Sequence, residues 1–555
     1  MSDSSDNESV EFDESFWDDT IYSDDDRKRL KNCSVDEAVA ILISLLDEID
    51  WTLEIQRLRL HEVLNYLVSK EWRGENLREI ITARQIELLI WDSAMRMLNN
   101  DFALQSVFYQ DTCFIDFFIN TVGYRRQPQL DEAGRPSSRG LTLLHQMARL
   151  PAADRNLQKF RIVTLLFEIY NRHDVNYTDE DGLTHFHVAC MAGLYRNVER
   201  FLAFRPDLDC VWRETGDTPL HLALRYDHRE VCELLLMRGA DPNLANKKGQ
   251  TALHFVCWKK DIYLAKLLFE VSDKRNRPVG LDARNEKGRT ALELAAARLS
   301  PDLVDLLLDR GADLASFVFP TEEDLDEALT KDPPPLLARA AGLMAVIESL
   351  ESRGYELDLS HVMVVVKFFV KHELFWRGSE FCEDLASVAN RFTIFPRMEY
   401  GARALEIAGE NSETRTTPRL SLGDLMRLRP EEAEQVVKYK DYIALSDSDL
   451  LKSLNQALIV QEYWLALNQA LIVQEYWLAY QRLLCEKLAR GFFRSMALYP
   501  FWKLIHFRLS MELCEWIIYK LKNEDLCNIL LANELMDKRK KNEGDNVVNS
   551  CDSNK

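Results

Sequence analysis

The order of apolar and polar positions is helical along most of the chain. The first clear case is SVDEAVAILISLLDEI (34–49), where apolar residues recur with a period near 3.6 and Ser34 and Glu37 form a capping box. Helical patterns continue through Trp72 and LREIITARQIELLIWDSAMRML to about residue 120. The pattern predicts a helical N-terminal region over residues 31–123, which we cannot assign to a named fold.

Two stretches interrupt the helical pattern with residues that favour loops. YRRQPQLDEAGRPSSRG begins at Tyr124 and collects Pro, Gly, Ser and Arg, so residues 124–139 are predicted to be a linker. NSETRTTPRLSLG begins at Asn411, and residues 411–419 are predicted to be a second linker. Between residues 318 and 410 the pattern predicts a helical connector, which DPPPLL (332–337) breaks.

A short motif recurs five times in the middle of the chain. It reads GLTLLH, GLTHFH, GDTPLH, GQTALH and GRTALE, with start-to-start spacings of 42, 34, 33 and 39 residues. The copies begin at Gly140, Gly182, Gly216, Gly249 and Gly288. A fixed period in this range is typical of repeat proteins, in which at least three stacked units are needed to bury a continuous core.

The cleanest unit, GDTPLHLALRYDHREVCELLLMRGADPNLANKK, assigns a physical role to each key position. Gly216 ends a turn, Thr218 caps an inner helix, and Pro219 lies in the first turn, where its missing N–H is harmless. His221 is expected to bond backbone between repeats, and Gly239 to end the outer helix in a left-handed residue. Residues 140–317 therefore resemble a solenoid of five ankyrin repeats, which implies an all-α fold and a protein-binding surface.

Exposed positions on the inner helices and hairpin tips are the candidates for target binding. Aromatic rings beside cations have the composition of an interface hot spot. An alternative is that the rings pack against the insertion at residues 273–280 or a neighbouring domain. The candidates are Met191, Arg213, Arg225, Tyr226, Lys247, Trp258 and Lys259.

Apolar residues also recur at helical spacing in LSMELCEWIIYKLKNEDLCNILLA (509–532). Leu509, Leu513 and Trp516 begin one apolar helix face, which Ser510 can cap, and NED (523–525) starts a second helix. One interpretation is a helical hairpin that buries its apolar stripe in a C-terminal bundle.

The same stretch resembles the start of an F-box, the motif with which substrate receptors dock on the adaptor subunit of cullin–RING ubiquitin ligases. The matching residues, to which the resemblance gives the docking role, are Leu509, Glu512, Leu513, Ile517, Leu521, Asp525 and Leu526. Two features depart from an F-box: Ser510 replaces the usual proline, and the helical pattern ends near Leu535, before a third helix is complete.

This truncated form, placed after ankyrin-like repeats, resembles the PRANC domain of poxvirus and insect ankyrin proteins. LSLGDLMRLRPEEAEQVV (420–437) and LARGFFRSMALYPFWKLIHFRL (488–509) also resemble its insect members. The resemblance implies a domain over residues 420–535, with F-box-like helices at 508–534 and a disordered tail at 536–555.

Charge and motif content exclude several other functions. The net charge is −21, and residues 1–26 hold 11 acidic groups and no basic one, so residues 1–30 are predicted to be a disordered acidic tail. An acidic chain is unsuited to nucleic acid, and no apolar run is long enough for a membrane span. Eleven scattered cysteines without a CxxC pair suggest reduced thiols in the cytosol or nucleus.

No catalytic, cofactor or metal motif appears in the sequence. Phosphate-binding glycine loops, HExxH, GxSxG and kinase signatures are missing, so we expect no catalytic centre and no cofactor. The pairs His187-x-x-Cys190 and His254-x-x-Cys257 lie within the repeat motif, where each histidine has a structural role. They are therefore not expected to bind a metal.

LNQALIVQEYWLA occurs twice without a difference, at residues 454–466 and 467–479. Thirteen residues at about 100° each leave the second copy about 220° out of phase on a helix, so identical residues would face different sides. The duplication is interpreted as very recent or as a gene-model error, with one copy carrying the fold.

These observations together predict an adaptor whose repeats recruit a target protein and whose C-terminal helices dock the ligase. The alternative is a non-catalytic scaffold that binds and sequesters its target, with the C-terminal helices only a structural cap. The sequence leaves the target, the oligomeric state and the role of residues 31–123 open.

Overall fold

A computed structural model gives the architecture of the chain, which divides into two compact units, residues 1–248 and 249–555. The structure describes residues 33–74, 77–99, 114–130, 136–151, 157–330, 334–375, 427–447 and 470–552, with Gly134 and Leu425. Helices account for its regular structure, and the described residues form only isolated β-bridges and no strand. The fold is all-α, as the sequence predicts.

The first unit begins with a group of helices that packs on the first repeat. They are α1 (Val35–Glu48), α2 (Glu54–Ser69), α3 (Leu77–Ile80), α4 (Ala83–Asn99) and α5 (Phe114–Asp116), with a π-helical turn at Phe117–Thr121. The Ser34–Glu37 capping box starts α1 as predicted. A buried ion pair joins α2 to α4, with Arg57 Nε 2.7 Å and Nη2 2.9 Å from the Asp92 carboxylate.

The described residues of the segment predicted to be a linker, 124–130, 134 and 136–139, include some that form backbone hydrogen bonds with later residues of the first unit. The amide of Arg126 donates to the carbonyl of Ile169 at 3.1 Å, and the amide of Thr178 donates to the carbonyl of Ser138 at 2.7 Å. Arg139 forms a parallel bridge with Thr178. Backbone pairing of this kind attaches these described residues to the repeats, which Pro and Gly content alone does not predict.

Three helix pairs follow in the first unit. They are α6 (Leu143–Arg149) with α7 (Leu157–Ile169), α8 (His185–Met191) with α9 (Tyr195–Ala203), and α10 (Pro219–Arg225) with α11 (Arg229–Arg238). Thr218 caps α10 by accepting from the His221 amide at 3.4 Å, and Gly239 ends α11 at φ 109°. Both positions confirm the roles predicted from the repeat motif.

The second unit contains the last two predicted pairs. They are α12 (Ala252–Lys259) with α13 (Ile262–Lys274), and α14 (Ala291–Ala297) with α15 (Pro301–Asp309). The stacking then continues past residue 317 through α16 (Glu322–Leu329), α17 (Leu336–Glu351) and α18 (Leu359–Lys371). Helix α16 packs on α14, and α17 on α15. The connector is therefore a further stacked layer, although it lacks the repeat motif that marks its neighbours.

The remaining helices pack against this layer. They are α19 (Pro430–Val436), α20 (Tyr439–Asp447), α21 (Ala470–Leu488), α22 (Arg490–Leu504), α23 (Met511–Lys520) and α24 (Asn523–Asp552). Helix α17 contacts α20 and α21, and α22 contacts α23 and α24. Helix α24 extends to Asp552, so the helix does not end near Leu535, and residues 536–552 of the predicted tail are helical.

Three sequence expectations fall partly or wholly outside the described residues. The second linker and the first 13-residue copy lie outside them, whereas Ala470–Leu488 forms a helix that includes most of the second copy. The acidic segment at the start of the chain lies outside them as well.

Candidate protein-binding surfaces

A shallow cleft opens at the hairpin tips of the first unit, and two predicted binding residues line it. The lining residues are Val211, Arg213, Gly216, Thr218, Leu244, Ala245, Asn246 and Lys247. The cleft forms because Gly216 turns at φ 75°, which lets the backbone N of Lys247 approach within 2.5 Å of where a Cβ would lie. Only glycine fits there, since the position combines positive φ with a close backbone approach.

The two cations of the cleft are exposed. Arg213 Nη1 donates to the backbone carbonyl of Glu180 at 3.3 Å, and the Lys247 amide donates to the carbonyl of Thr215. Neither side chain forms a salt bridge within the described part of the chain. Both charges are therefore available to a carboxylate from a partner.

Acidic side chains of the neighbouring hairpin tips are paired with Arg149 of the same chain. Arg149 lies 2.7 Å from Asp179, 2.6 Å from Asp181 and 2.9 Å from Glu214. One guanidinium thus bridges carboxylates from two successive hairpins, and Arg149 also lies over the Trp212 ring at 5.9 Å. The bridge occupies the acids that would otherwise compete for Arg213.

Three further candidates of the first unit are partly or fully covered within the chain. Arg225 forms a salt bridge at 2.7 Å with Asp217, a fully buried carboxylate that also accepts from Asn246 at 2.8 Å. Tyr226 is half-buried, and burial raises the pKa of its phenol. Met191 is buried, contrary to the expectation of an accessible groove position, because it ends a helix whose seven residues are all buried.

In the second unit Trp258 is half-buried and Lys259 is exposed. The guanidinium of Arg298 lies over the Trp258 ring, 4.9 Å from its centroid, and Arg298 also donates to the carbonyl of Ala328. The indole therefore packs against the next helix pair. Arg298 belongs neither to the insertion at residues 273–280 nor to a neighbouring domain, so the ring packs in a place that the sequence analysis did not consider, and its role in target binding stays a prediction.

The repeat histidines are occupied by structural hydrogen bonds. Nε2 of His187 donates to the carbonyl of Cys210 at 3.0 Å, and Nε2 of His254 donates to the carbonyl of Arg289 at 3.2 Å. Nδ1 of each ring accepts from a threonine amide, which fixes the tautomer with the proton on Nε2. Within the described residues no group of three His, Cys, Asp or Glu side chains could hold a metal ion.

A second surface lies on α23, the helix with the F-box resemblance. Its buried residues are Cys514 and Ile518, whereas Leu513, Trp516 and Tyr519 are 44%, 62% and 38% exposed. The hairpin interpretation, in which the stripe is buried, is therefore wrong for Leu513 and Trp516. The bundle uses the opposite side of the helix.

The predicted docking residues divide by burial. Leu509, Ile517 and Leu521 are half-buried, Glu512 and Asp525 are exposed, and Leu526 is buried. Glu512 lies in the first turn, where its own backbone N–H and Ser510 lower the pKa of its carboxyl. Ser510 caps the helix as predicted, accepting from the Leu513 amide at 3.4 Å.

Aromatic residues beside this surface extend it, and the sequence did not identify them. Tyr499 and Phe507 are 59% and 51% exposed, and the Trp502 ring lies 4.6 Å from Phe507. The Trp502 indole N–H donates to the carbonyl of Leu509 at 2.9 Å, which ties this aromatic group to the start of α23. The available signal was the density of aromatic residues in LYPFWKLIHF (498–507).

Comparison with known proteins assigns the class of the repeats. Residues 144–246 and 237–317 match the family described as ankyrin repeats (3 copies). The chain therefore contains ankyrin repeats, within the range that the sequence motif predicts. No helix among the described residues is long and apolar enough to cross a membrane.

Several curated proteins are similar over the repeats. Human B-cell lymphoma 3 protein is 35% identical over 140 residues, which are 24% of this chain and 30% of that protein. Human NF-kappa-B inhibitor epsilon is 30% identical over 146 residues, 25% of this chain and 29% of that protein. A putative ankyrin repeat protein, L371, of Acanthamoeba polyphaga mimivirus is 37% identical over 98 residues, 18% of this chain and 12% of that protein. The matched part thus spans less than a third of each of these relatives.

Proposed function

We propose that this protein is a non-catalytic adaptor with two binding surfaces. The cleft at the ankyrin tips binds a target protein. The exposed face of α23 docks the adaptor subunit of a cullin–RING ubiquitin ligase.

The cleft supports target binding through its mixed chemistry. Val211, 47% exposed, and Leu244 give apolar surface, and Arg213 and Lys247 flank it with free charge. Apolar contact surrounded by charged groups is the usual composition of a protein interface. One relative is named as an inhibitor of NF-kappa-B, itself a protein, which agrees with a protein-binding role for the repeats.

The uncovered apolar face of α23 is the observation that carries the docking half of the proposal. Leu513 and Trp516 lie on it beside Glu512, and the F-box resemblance gives docking roles to Leu513 and Glu512. Burying a large aromatic and a leucine side chain stabilises a complex by about 1.5–3 kcal/mol for each, before the costs of association. Leu526, being buried, would support α24 rather than touch the adaptor.

In this proposal the protein acts by bringing its target close to the ubiquitin ligase. Holding a target lysine near a charged ubiquitin carrier raises its effective concentration, so this chain supplies no catalytic group. Ser510 in place of proline lowers the expected affinity, and we expect adaptor binding in the micromolar range, on the order of −8 kcal/mol.

Pull-down of the purified adaptor subunit by the full chain tests the docking half. The double variant Leu513→Ala, Trp516→Ala should abolish capture, because both side chains are already exposed and their loss leaves the bundle intact. Met237→Ala is the matched control, since Met237 is also exposed, at 58%, but lies on a repeat helix. If the wild-type chain captures no adaptor at about ten times the expected constant, the protein is a sequestering scaffold and the docking half is wrong.

A further inference from the structure

The chain carries a segment whose chemistry complements the cleft at the ankyrin tips. Residues 11–19 read EFDESFWDD and combine five carboxylates with Phe12, Phe16 and Trp17. The nearest basic residue is Arg27. Residues 1–32 lie outside the described residues, so the segment is known by its sequence.

The cleft offers the matching groups. Val211 and Leu244 present apolar surface to an aromatic ring, and Arg213 and Lys247 present two cations that have no carboxylate partner among the described residues. Aromatic and arginine side chains are the most frequent anchors at protein interfaces. The order acid, aromatic, acid in FDESFWDD fits the groups that the cleft presents.

The segment is tethered to the compact unit that contains the cleft. Cys33, the first described residue, belongs to the same compact unit as the cleft, and its carbonyl accepts from the Tyr66 hydroxyl at 2.7 Å. The chain between Trp17 and Cys33 spans up to about 50 Å when extended. At sites within its reach, a tether of this length gives an effective concentration near the millimolar range, at which even weak contacts are occupied.

We propose that residues 11–19 bind in cis in this cleft, with an aromatic ring on Val211 and Leu244 and carboxylates paired with Arg213 and Lys247. The bound segment competes with the target protein, so target binding requires its displacement. This consequence rests on the proposed function, because competition matters only where the cleft binds a target.

Zero-length carbodiimide cross-linking of the full chain tests the contact directly, since the reagent joins a lysine amine only to a carboxylate that touches it. We expect Lys247 to be joined to Asp13, Glu14, Asp18 or Asp19, as read by mass spectrometry. Lys274 and Glu270, 2.6 Å apart on α13, provide an internal cross-link that does not depend on the segment.

Charge reversal in the cleft should remove this cross-link selectively. Arg213→Glu should reduce the Lys247 product at least about fivefold, whereas the control Arg196→Glu should leave it unchanged, because Arg196 is exposed on α9, away from the cleft. The Lys274 product should be unchanged in both variants. An unchanged Lys247 product in Arg213→Glu overturns the proposal.

Two further experiments test whether the segment binds within one chain and whether it competes for the cleft. In a mixture of isotopically heavy and light chains the Lys247 product should be homoisotopic, and a heteroisotopic product overturns binding in cis in favour of a second copy. A synthetic peptide of residues 11–22 should bind the full-length variant Asp13→Asn, Glu14→Gln, Asp18→Asn, Asp19→Asn at least about tenfold tighter than it binds the wild type. Equal binding to both proteins overturns the competition.

Failure here is distinguishable from failure of the proposed function. If no Lys247 product forms while Arg213→Glu weakens capture of a target protein, the cleft serves a partner only and the cis contact is wrong. The adaptor pull-down on α23 gives its result whether or not the segment binds.

Discussion

The Trp258 ring lies beneath the Arg298 guanidinium, 4.9 Å from the ring centroid to the cation. Because Arg298 also donates to the Ala328 carbonyl, a chain of contacts runs from α12 through the end of α14 to α16. A tryptophan that the sequence marks as a binding residue thus stabilises the stacking of the second unit.

We therefore expect Trp258→Ala to lower stability. The variant loses the cation–π contact, about 0.5–2 kcal/mol, and part of the apolar burial of a half-buried ring, for a total of about 2–3 kcal/mol. Denaturant unfolding followed by circular dichroism measures the change. Lys259→Ala, at the exposed neighbouring position, is the control and should change stability by less than about 0.5 kcal/mol. Equal stability of Trp258→Ala and the wild type would mean that the ring serves a partner rather than the stack.

Acid should destabilise the first unit through its buried histidines. Burial lowers the pKa of His145 and of His187 from 6.5 to about 4. The unfolded chain binds these protons at a higher pH than the folded chain. The contribution of the two neutral histidines to the free energy of unfolding is therefore complete above pH 6.5 and is lost as the pH drops towards 4. Each histidine contributes up to about 3 kcal/mol.

Urea unfolding measures the free energy of unfolding at pH 7 and at pH 5. This free energy should be larger at pH 7 by at least about 1 kcal/mol. Glu87 acts in the opposite direction, because burial raises the pKa of its carboxyl. His187→Gln removes one titrating ring and should make the difference between the two pH values smaller than in the wild type. A wild-type chain that is equally stable at both pH values would contradict the prediction.

Gly216 and Gly288 form a matched pair for testing the tight turn of the cleft. Both have positive φ, 75° and 72°, but a Cβ on Gly216 would lie 2.5 Å from the Lys247 amide, whereas nothing lies within 4 Å of one on Gly288. Gly288→Ala should cost about 1 kcal/mol from φ strain alone. Gly216→Ala adds a backbone clash and should cost about 2–3 kcal/mol or more. Thermal melts of the two variants give the comparison, and equal melting temperatures would contradict it.

Removing one copy of the 13-residue duplication should leave stability unchanged. Deleting 454–466 or 467–479 yields the same chain, because the copies are identical, and the retained copy still leads into α21 (Ala470–Leu488). The melting temperature should stay within about 2 °C of the wild type, since no buried residue after Gln481 is altered. A fall of more than about 5 °C would show that both copies pack into the fold.

The repeat motif determined the helix pairs because its signals are local. Thr218 and Gly239 act within a few residues of their own positions, through a cap and a left-handed helix end. Such roles depend on neighbours in sequence, so spacing and residue type suffice to predict them. The all-α class and the Ser34 and Ser510 caps follow for the same reason.

Only the tertiary structure decided which side of each helix is covered. Helix α23 has apolar residues around much of its circumference, and its packing on α22 buries Cys514 and Ile518 while leaving Leu513 and Trp516 exposed. The Trp258 indole is covered by Arg298, a residue distant in sequence. Arg126 and Ser138 form backbone hydrogen bonds with Ile169 and Thr178, and the layer of α16–α18 stacks without the motif. Burial depends on which surfaces meet in space, and no periodicity within one segment contains that information.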